Sequence, residues 1–196
     1  STAVVPPAEE LAKAAAVINA GEKVTFLVGH GANGATDEVL EAARKAGAGI
    51  ITALRGKQVV PSDIPYHTQQ LGLLGSLPSY HQANDCDTLV MLGTNYPYGQ
   101  FLPKTGQARA VQIDLRPEQL GLRYPTEVNL WGDVKATLAA LIPLLDTKTE
   151  RLRITSYDTA KDPAGAARRA IADGNKLILG PLTAEEVRAV APIAKA

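Results

Sequence analysis

A glycine-rich segment is the first part of this sequence whose residue types and spacing suggest chemistry. It reads Gly29-x-Gly31-x-x-Gly34 and leads from an apolar, strand-like run into a helix-like one. Glycines in this context let the backbone turn tightly and approach a phosphate at the amino end of the helix. A nicotinamide site also expects an acidic residue about 20 residues further on, where this chain has Arg55 and Lys57. The segment therefore argues against NAD and does not identify a ligand by itself.

A second segment with polar and aromatic residues, 93–99, directly follows another apolar run. Thr94 and Asn95 can donate hydrogen bonds to phosphate or polyol oxygens, and Tyr96 and Tyr98 offer flat apolar faces. The alternative is an ordinary turn in which the tyrosines pack locally.

Two further segments could contact a ligand. Asp114 closes a strand-like run, where its carboxylate can accept both hydroxyls of a ribose. The alternative role for Asp114 is a turn or capping residue before Pro117. The apolar residues 71–75 could place backbone amides against a planar ring, although their sequence alone is not specific.

The residues that usually carry catalysis or bind metals are scattered in this chain. His30, His67 and His81 show no recognisable spacing to a nucleophile, and Cys86 is the single cysteine. The sequence therefore predicts no catalytic residues and no metal site.

The apolar periodicity alternates between short strands and alanine-rich helices. We predict strands at residues 23–28, 49–54, 67–71, 88–92, 110–114 and 128–131, with helices at residues 8–20, after Thr36, and after Asp133. Such alternation predicts an α/β fold with a doubly wound, mostly parallel sheet and helices on both faces, a Rossmann-like three-layer sandwich. A 3-2-1-4-5-6 strand order would place both glycine-rich segments beside the crevice where the winding reverses.

Composition limits the classes of partner. The 196 residues include 20 basic and 20 acidic side chains, and 45% of the residues are hydrophobic. A formal charge of zero offers no broad basic surface, so we expect neither nucleic acid nor membrane as a partner. One cysteine and the absence of a signal-like start predict a cytoplasmic protein.

Several motifs together resemble the central domain of the pyruvate oxidase and acetolactate synthase family of thiamine-diphosphate enzymes. The resemblance covers residues 1–147 and runs through these segments: Gly29-His30-Gly31-Ala32, Ala53-Leu54-Arg55-Gly56-Lys57, Gly72-Leu73-Leu74-Gly75, Gly93-Thr94-Asn95-Tyr96-Pro97-Tyr98, Gln112-Ile113-Asp114, Gly121-Leu122-Arg123-Tyr124-Pro125 and Leu130-Trp131-Gly132-Asp133-Val134-Lys135.

The resemblance implies a six-stranded parallel domain that, in the oxidases, holds FAD in an extended pose. It implies a flavin end at residues 71–74, contacts to the middle of the cofactor at residues 93–97, and contact of Asp114 with the adenosine ribose. The cofactor-binding residues expected on these grounds are Gly29, Gly31, Leu71, Gly72, Leu73, Leu74, Gly93, Thr94, Asn95, Tyr96, Pro97 and Asp114.

The catalytic parts of that family do not match this chain. The family needs an activating glutamate in one domain and a Gly-Asp-Gly…Asn motif for metal and diphosphate in another, and 196 residues hold neither. We therefore expect a protein that lacks the family's thiamine-binding domains, is not an enzyme, and does not use thiamine diphosphate or magnesium. FAD is a possible cofactor, and its site is expected to be weak or vestigial.

The last part of the chain shows a different pattern. Residues 148–196 resemble a βαβα piece of the type I periplasmic binding-protein fold, with strands at 152–156 and 176–179 and a helix opened by Asp162 and Pro163. We expect this fragment to pack on the same domain and to extend the sheet.

Two joined fold fragments suggest an engineered chimera, and three functions remain open. The first is a non-catalytic α/β scaffold with a residual flavin or nucleotide crevice. The second is an FAD-binding module of a pyruvate oxidase-type enzyme. The third is a module that docks to thiamine-binding domains of another chain, with self-association as a further open alternative.

Overall fold

The computed structural model describes residues 3–148, 157–158, 162–174 and 184–194. Its strands are β1 (Val24–Val28), β2 (Gly49–Thr52), β3 (His67–Gln70), β4 (Thr88–Leu92), β5 (Arg109–Asp114) and β6 (Val128–Trp131). Its helices are α1 (Ala8–Ala20), α2 (Thr36–Ala46), α3 (Leu77–Asp85), α4 (Val134–Leu141), α5 (Pro163–Ala172) and α6 (Ala184–Ala194).

The six strands form one parallel sheet in the order β3-β2-β1-β4-β5-β6. This order confirms the prediction of a doubly wound α/β sheet and puts the reversal of winding between β1 and β4. Parallel strands need crossover connections, and α1 to α4 cover the sheet on its two faces.

Both faces of the sheet are buried in separate apolar clusters. Along β1, Phe26 and Val28 belong to one cluster, which α1, α2 and α4 cover, whereas Leu27 lies in the other. The second cluster includes Ala83 of α3. All five positions of β1 are buried, as is expected of a central parallel strand.

Local sequence signals explain most helix ends. Gly47 ends α2 with a left-handed φ of 61°, and Asp133 caps α4 by accepting from the amide of Ala136 at 2.9 Å. Thr36, after which the sequence predicts a helix, does not cap α2. Thr36 is the first helical residue, and its hydroxyl donates to the carbonyl of Val59 at 2.8 Å.

Helix α3 was not predicted, although signals for its start are present in the sequence. Ser76 caps α3 by accepting from the amide of Ser79, and Pro78 lies in the first turn. Cys86 follows α3, where it is buried and its thiol donates to the carbonyl of Ala83 at 3.2 Å. Burial raises the pKa of the Cys86 thiol to about 11.

The chain divides into two compact units, Ser1–Glu150 and Arg151–Ala196. In the second unit, the carboxylate of Asp162 accepts from the amide of Gly165 at 2.8 Å at the start of α5, as the sequence predicts. The buried residues of α5 are Ala166, Ala167 and Ala170, whereas Ile171 is exposed. The predicted strands at 152–156 and 176–179 lie outside the described residues, and the arrangement of residues 148–196 on the first unit stays a prediction.

Across the described residues, no helix combines the length and the apolar character needed to cross a membrane. The cytoplasmic location stays a prediction.

The loops after β1 and β4 meet backbone to backbone. The amide of Gly31 donates to the carbonyl of Gly93 at 2.9 Å, and a Cβ atom at Gly31 would lie 2.8 Å from the Cα atom of Gly93. Gly93 has a φ of 57°, and its own Cβ would lie 2.5 Å from the carbonyl carbon of Gly31. Backbone atoms cannot rotate away as side-chain ends do, so both positions require glycine.

We expect Gly93→Ala to lower the free energy of unfolding by about 2–5 kcal/mol, since a left-handed φ costs about 1–2 kcal/mol and overpacking about 1–3 kcal/mol. Gly34→Ala is the matched control, because Gly34 also has a positive φ (79°) but has open space around it. It should lose only about 1–2 kcal/mol. Equal losses in urea unfolding of the two variants would refute the steric argument.

Candidate functional site

A cavity of about 780 Å³ lies at the carboxyl ends of the strands, on both sides of the point where the winding reverses. This volume is in the usual range for pockets that hold small molecules and cofactors, about 300–1,000 Å³. Its lining comes from the segments after β1 to β5 and from the start of α4: His30, Gly31, Ala53, Leu54, Arg55, Gln70, Leu71, Gly72, Leu73, Leu74, Gly93, Thr94, Asn95, Tyr96, Pro97, Tyr98, Asp114, Leu115, Arg116 and Val134.

The structure brings together all but one of the residues predicted to bind a cofactor. Gly29 is the exception, since it is buried and does not line the cavity. Its amide donates to the carbonyl of Leu92 at 2.8 Å, and the amide of Gly31 is used by Gly93. These glycines therefore serve the contact between two loops, and their amides are not available for a phosphate.

The segment after β4 forms the polar middle of the cavity wall. Thr94 is buried, and the carboxamide of Asn95 accepts from Nε of Arg123 at 2.7 Å. The rings of Tyr96 and Tyr98 meet edge to face, with centroids 5.5 Å apart. Sequence analysis left open a simple turn with locally packed tyrosines, and the tyrosines do pack locally while also lining the cavity.

The side chain of Gln112 in β5 is hydrogen-bonded to this segment. Its fully buried amide donates from Nε2 to the carbonyls of Thr94 at 3.2 Å and Gln119 at 3.1 Å. Its Oε1 accepts from the amide of Gly121 at 2.9 Å. One side chain thus joins the loop after β4 to the loop after β5.

Asp114 is the buried acidic residue of the site, with 5% of its surface exposed. Its Oδ1 accepts from the amide of Arg116 at 2.9 Å, in the manner of an Asx turn. The turn role that sequence analysis kept as an alternative is therefore present. It coexists with a place in the cavity wall, where the carboxylate can also accept hydroxyl groups.

One part of the cavity wall is apolar and exposed to solvent. Leu71 is buried, whereas Leu73 and Leu74 are 81% and 79% exposed, and Leu54 and Leu115 are more than half exposed. Exposed leucines around a cavity are a favourable surface for a flat apolar group.

The sequence analysis did not select the basic residues of the lining. Arg55 and Arg116 both line the cavity and are exposed, and His30 is a third basic residue of the lining. Their position directly after predicted strand ends was the available signal, since parallel strands present their carboxyl ends at one edge. Two guanidinium groups here suit a negatively charged ligand. In the described part of the chain, no group of three or more His, Cys, Asp or Glu side chains could hold a metal ion.

The hydroxyl of Tyr96 is buried and has no hydrogen-bond partner among the described residues. Burial, together with Tyr98, raises the pKa of Tyr96 to about 12, so the phenol stays neutral at physiological pH. A Cβ atom at Gly72, which has a φ of 117°, would lie 2.8 Å from this hydroxyl. Glycine at position 72 therefore lets the apolar loop pass over Tyr96.

Comparison with known proteins identifies the family of this fold and site. The family model described as thiamine pyrophosphate enzyme, central domain, matches residues 11–141, which is more than half of the chain. The chain therefore belongs to the thiamine pyrophosphate enzyme family through its central domain.

Individual relatives agree with this membership. An uncharacterized 42.6 kDa protein of Pseudomonas amyloderamosa is 42% identical over 148 residues, which are 76% of this chain and 37% of that protein. YdaP of Bacillus subtilis, whose name assigns it thiamine pyrophosphate, is 38% identical over 146 residues, 74% of this chain and 25% of YdaP. An X-ray structure of a Mycobacterium smegmatis protein, assigned as a thiamin diphosphate-dependent enzyme, matches with a TM-score of 0.64 and 29% identity, covering 88% of this chain and 36% of that one.

These findings correct two predictions. The expectation of a protein that is not an enzyme is wrong at the level of the family, whose members are named thiamine-dependent enzymes. Thiamine diphosphate, which was not expected, is the cofactor after which the family is named. The chain spans about a third or less of its first relatives' length, so the number of residues was a poor guide to activity. The engineered chimera and the periplasmic binding-protein resemblance of residues 148–196 stay predictions.

We expect Gln112→Met to lower the free energy of unfolding by about 2–4 kcal/mol, because it leaves one amide and two carbonyls inside the protein without a partner. Gln107→Met is the control. The amide of Gln107 donates to the carbonyls of Asn84 and Cys86 from an exposed position, where water can replace it, so this variant should lose less than about 1 kcal/mol. Urea unfolding of both variants tests the difference, and a loss below 1 kcal/mol for Gln112→Met would contradict it.

We expect Tyr96→Phe to unfold at pH 7 with the same or a higher free energy than the wild type, because it removes a buried hydroxyl that lacks a partner. The raised pKa adds a pH dependence. Between pH 10 and about 12 the folded state keeps this proton while the unfolded state releases it, so stability falls as the pH rises through that window. Tyr96→Phe should show a smaller fall.

Tyr124→Phe is the control for this prediction. The hydroxyl of Tyr124 lies 3.1 Å from the carbonyl of Lys104 and accepts from the amide of Ala108 at 3.3 Å. Its removal should cost about 1 kcal/mol at pH 7. A larger loss for Tyr96→Phe than for Tyr124→Phe would show that Tyr96 has a partner in solution.

Proposed function

We propose that this chain is the FAD-binding central domain of a thiamine-diphosphate-dependent enzyme of the pyruvate oxidase and acetolactate synthase type. The observation that carries the proposal is the cavity where the winding of the sheet reverses, with an apolar wall, a polar middle and a buried carboxylate. Acetolactate synthase 2 of Zea mays, 26% identical over 150 residues, is among the more distant relatives.

The residues of the cavity match the parts of an extended dinucleotide. The leucines of the loop after β3 suit the flavin ring, and the basic residues Arg55 and Arg116 suit the diphosphate. Asp114 suits the two hydroxyls of the adenosine ribose, because its carboxylate is buried and keeps acceptor capacity beyond the contact with the Arg116 amide.

The residues of this chain bind and orient the cofactor in this proposal. When bound, the flavin supplies a ring system that can accept electrons. Leu73 and Leu74, which line the cavity and are exposed, would shield one side of that ring from water, while Thr94 and Asn95 would hold polar atoms of the chain that links ring and nucleotide. We assign thiamine diphosphate to the enzyme as a whole and not to this cavity.

The test is a titration of the full chain with FAD, followed by the change in flavin fluorescence. Asp114→Asn keeps an oxygen for the amide of Arg116 but replaces one acceptor of the ribose, so we expect the affinity for FAD to fall about 10- to 100-fold, the equivalent of losing a charged hydrogen-bond partner. FMN lacks the adenosine ribose, so its affinity should be equal in the two proteins.

Asp63→Ala is the matched control, since Asp63 is exposed and does not line the cavity. Its affinity for FAD should equal that of the wild type. The proposal fails if the wild type does not bind FAD, and the assignment of Asp114 fails if Asp114→Asn binds FAD as tightly as the wild type.

A further inference from the structure

A short segment behind the polar wall of the cavity makes contacts that FAD binding alone does not explain. Gly121, Arg123 and Tyr124 belong to one of the motifs of the sequence, and Arg123 is exposed and does not line the cavity. Its Nε nevertheless donates to Oδ1 of Asn95 at 2.7 Å, and Asn95 does line the cavity.

The chemistry of this pair fixes which way the carboxamide of Asn95 is turned. A guanidinium group has only donors, so its partner on Asn95 must be the carbonyl oxygen and not the amide nitrogen. What remains for a ligand on this side chain is therefore chiefly the NH₂ group, with two donors. The short distance and the positive charge of Arg123 make this the preferred orientation.

The side chain of Gln112 in β5 holds the backbone near Arg123 in place. Gln112 accepts from the amide of Gly121 at 2.9 Å and donates to the carbonyl of Thr94 at 3.2 Å. The residues two positions before Arg123 and one position before Asn95 are thus joined through one buried amide, which keeps the two side chains within reach of each other.

We propose that Arg123 is a positioning residue that presents Asn95 to the cavity as a hydrogen-bond donor, so that the ligand must carry an acceptor oxygen at this point. Phosphate and polyol oxygens both have this chemistry. The inference rests on the proposed function, because it treats the cavity as the ligand site. It predicts that an aspartate at position 95 would keep the contact with Arg123 but would repel an acceptor.

The test is a double-mutant cycle on FAD affinity, measured by flavin fluorescence with the full chain. Arg123→Met should weaken binding about three- to tenfold, the range of one hydrogen bond at an exposed position. Asn95→Ala should weaken it by at least as much. In the double variant, Arg123→Met should add nothing to Asn95→Ala, because it acts through that side chain. Asn95→Asp should bind FAD less tightly than Asn95→Ala, and Arg123→Lys should recover part of the affinity.

Arg109→Met is the matched control, because Arg109 is also an exposed arginine and pairs with Glu127 at the amino end of β5. It should bind FAD as the wild type does. Additive losses in the cycle, or an Asn95→Asp variant that binds as tightly as the wild type, would overturn the proposal.

A second measurement keeps the proposal separate from FAD binding itself. The side-chain NH₂ resonances of Asn95 are recorded in ¹⁵N-labelled protein without ligand. In the wild type they should be those of an ordered side chain, and in Arg123→Met those of a mobile one. Unchanged resonances would overturn the positioning role. If the wild type does not bind FAD, the proposed function fails, while the resonances still decide whether Arg123 orients Asn95.

Discussion

The contact between the backbones of Gly31 and Gly93 is the constraint on which the rest of the site depends. β1 and β4 are neighbouring strands, and the chain leaves them in opposite directions along the sheet. The loops that follow the two strands therefore begin close together and then separate. Without side chains at these two positions the loops touch, with one amide-to-carbonyl hydrogen bond between them. Both glycines line the cavity, and their contact fixes the start of the segment that carries Thr94 and Asn95.

The residues that line the cavity beside this contact differ in chemistry from one strand end to the next. Three leucines line it after β3, a buried carboxylate and a further leucine line it at the end of β5, and the arginines of the lining are exposed. The buried amide of Gln112 keeps the polar wall in register with the carboxylate.

The sequence allowed most of the architecture to be predicted, because apolar runs and glycines are local signals. The strand order agrees with prediction, and each of the six strands begins and ends within two residues of its predicted bounds. Helix α3 was missed because its polar, proline-containing start does not show a clear apolar stripe. The backbone partners of the Gly29 and Gly31 amides could not be predicted, for a different reason. Spacing shows that glycine is required, but it does not show whether a phosphate or another backbone comes close. The contact of Arg123 with Asn95 joins loops 28 residues apart, and no local pattern indicates it.

The single cysteine of the chain has a consequence for how its dynamics can be followed. Cys86 lies in the second apolar cluster with a raised pKa, so its sulfur is both shielded and held as the unreactive thiol. We expect alkylating reagents to react with it mainly when the region around α3 and β4 opens. The rate of thiol modification would therefore measure how often that region opens, without an introduced label, in a sheet whose central strands are buried.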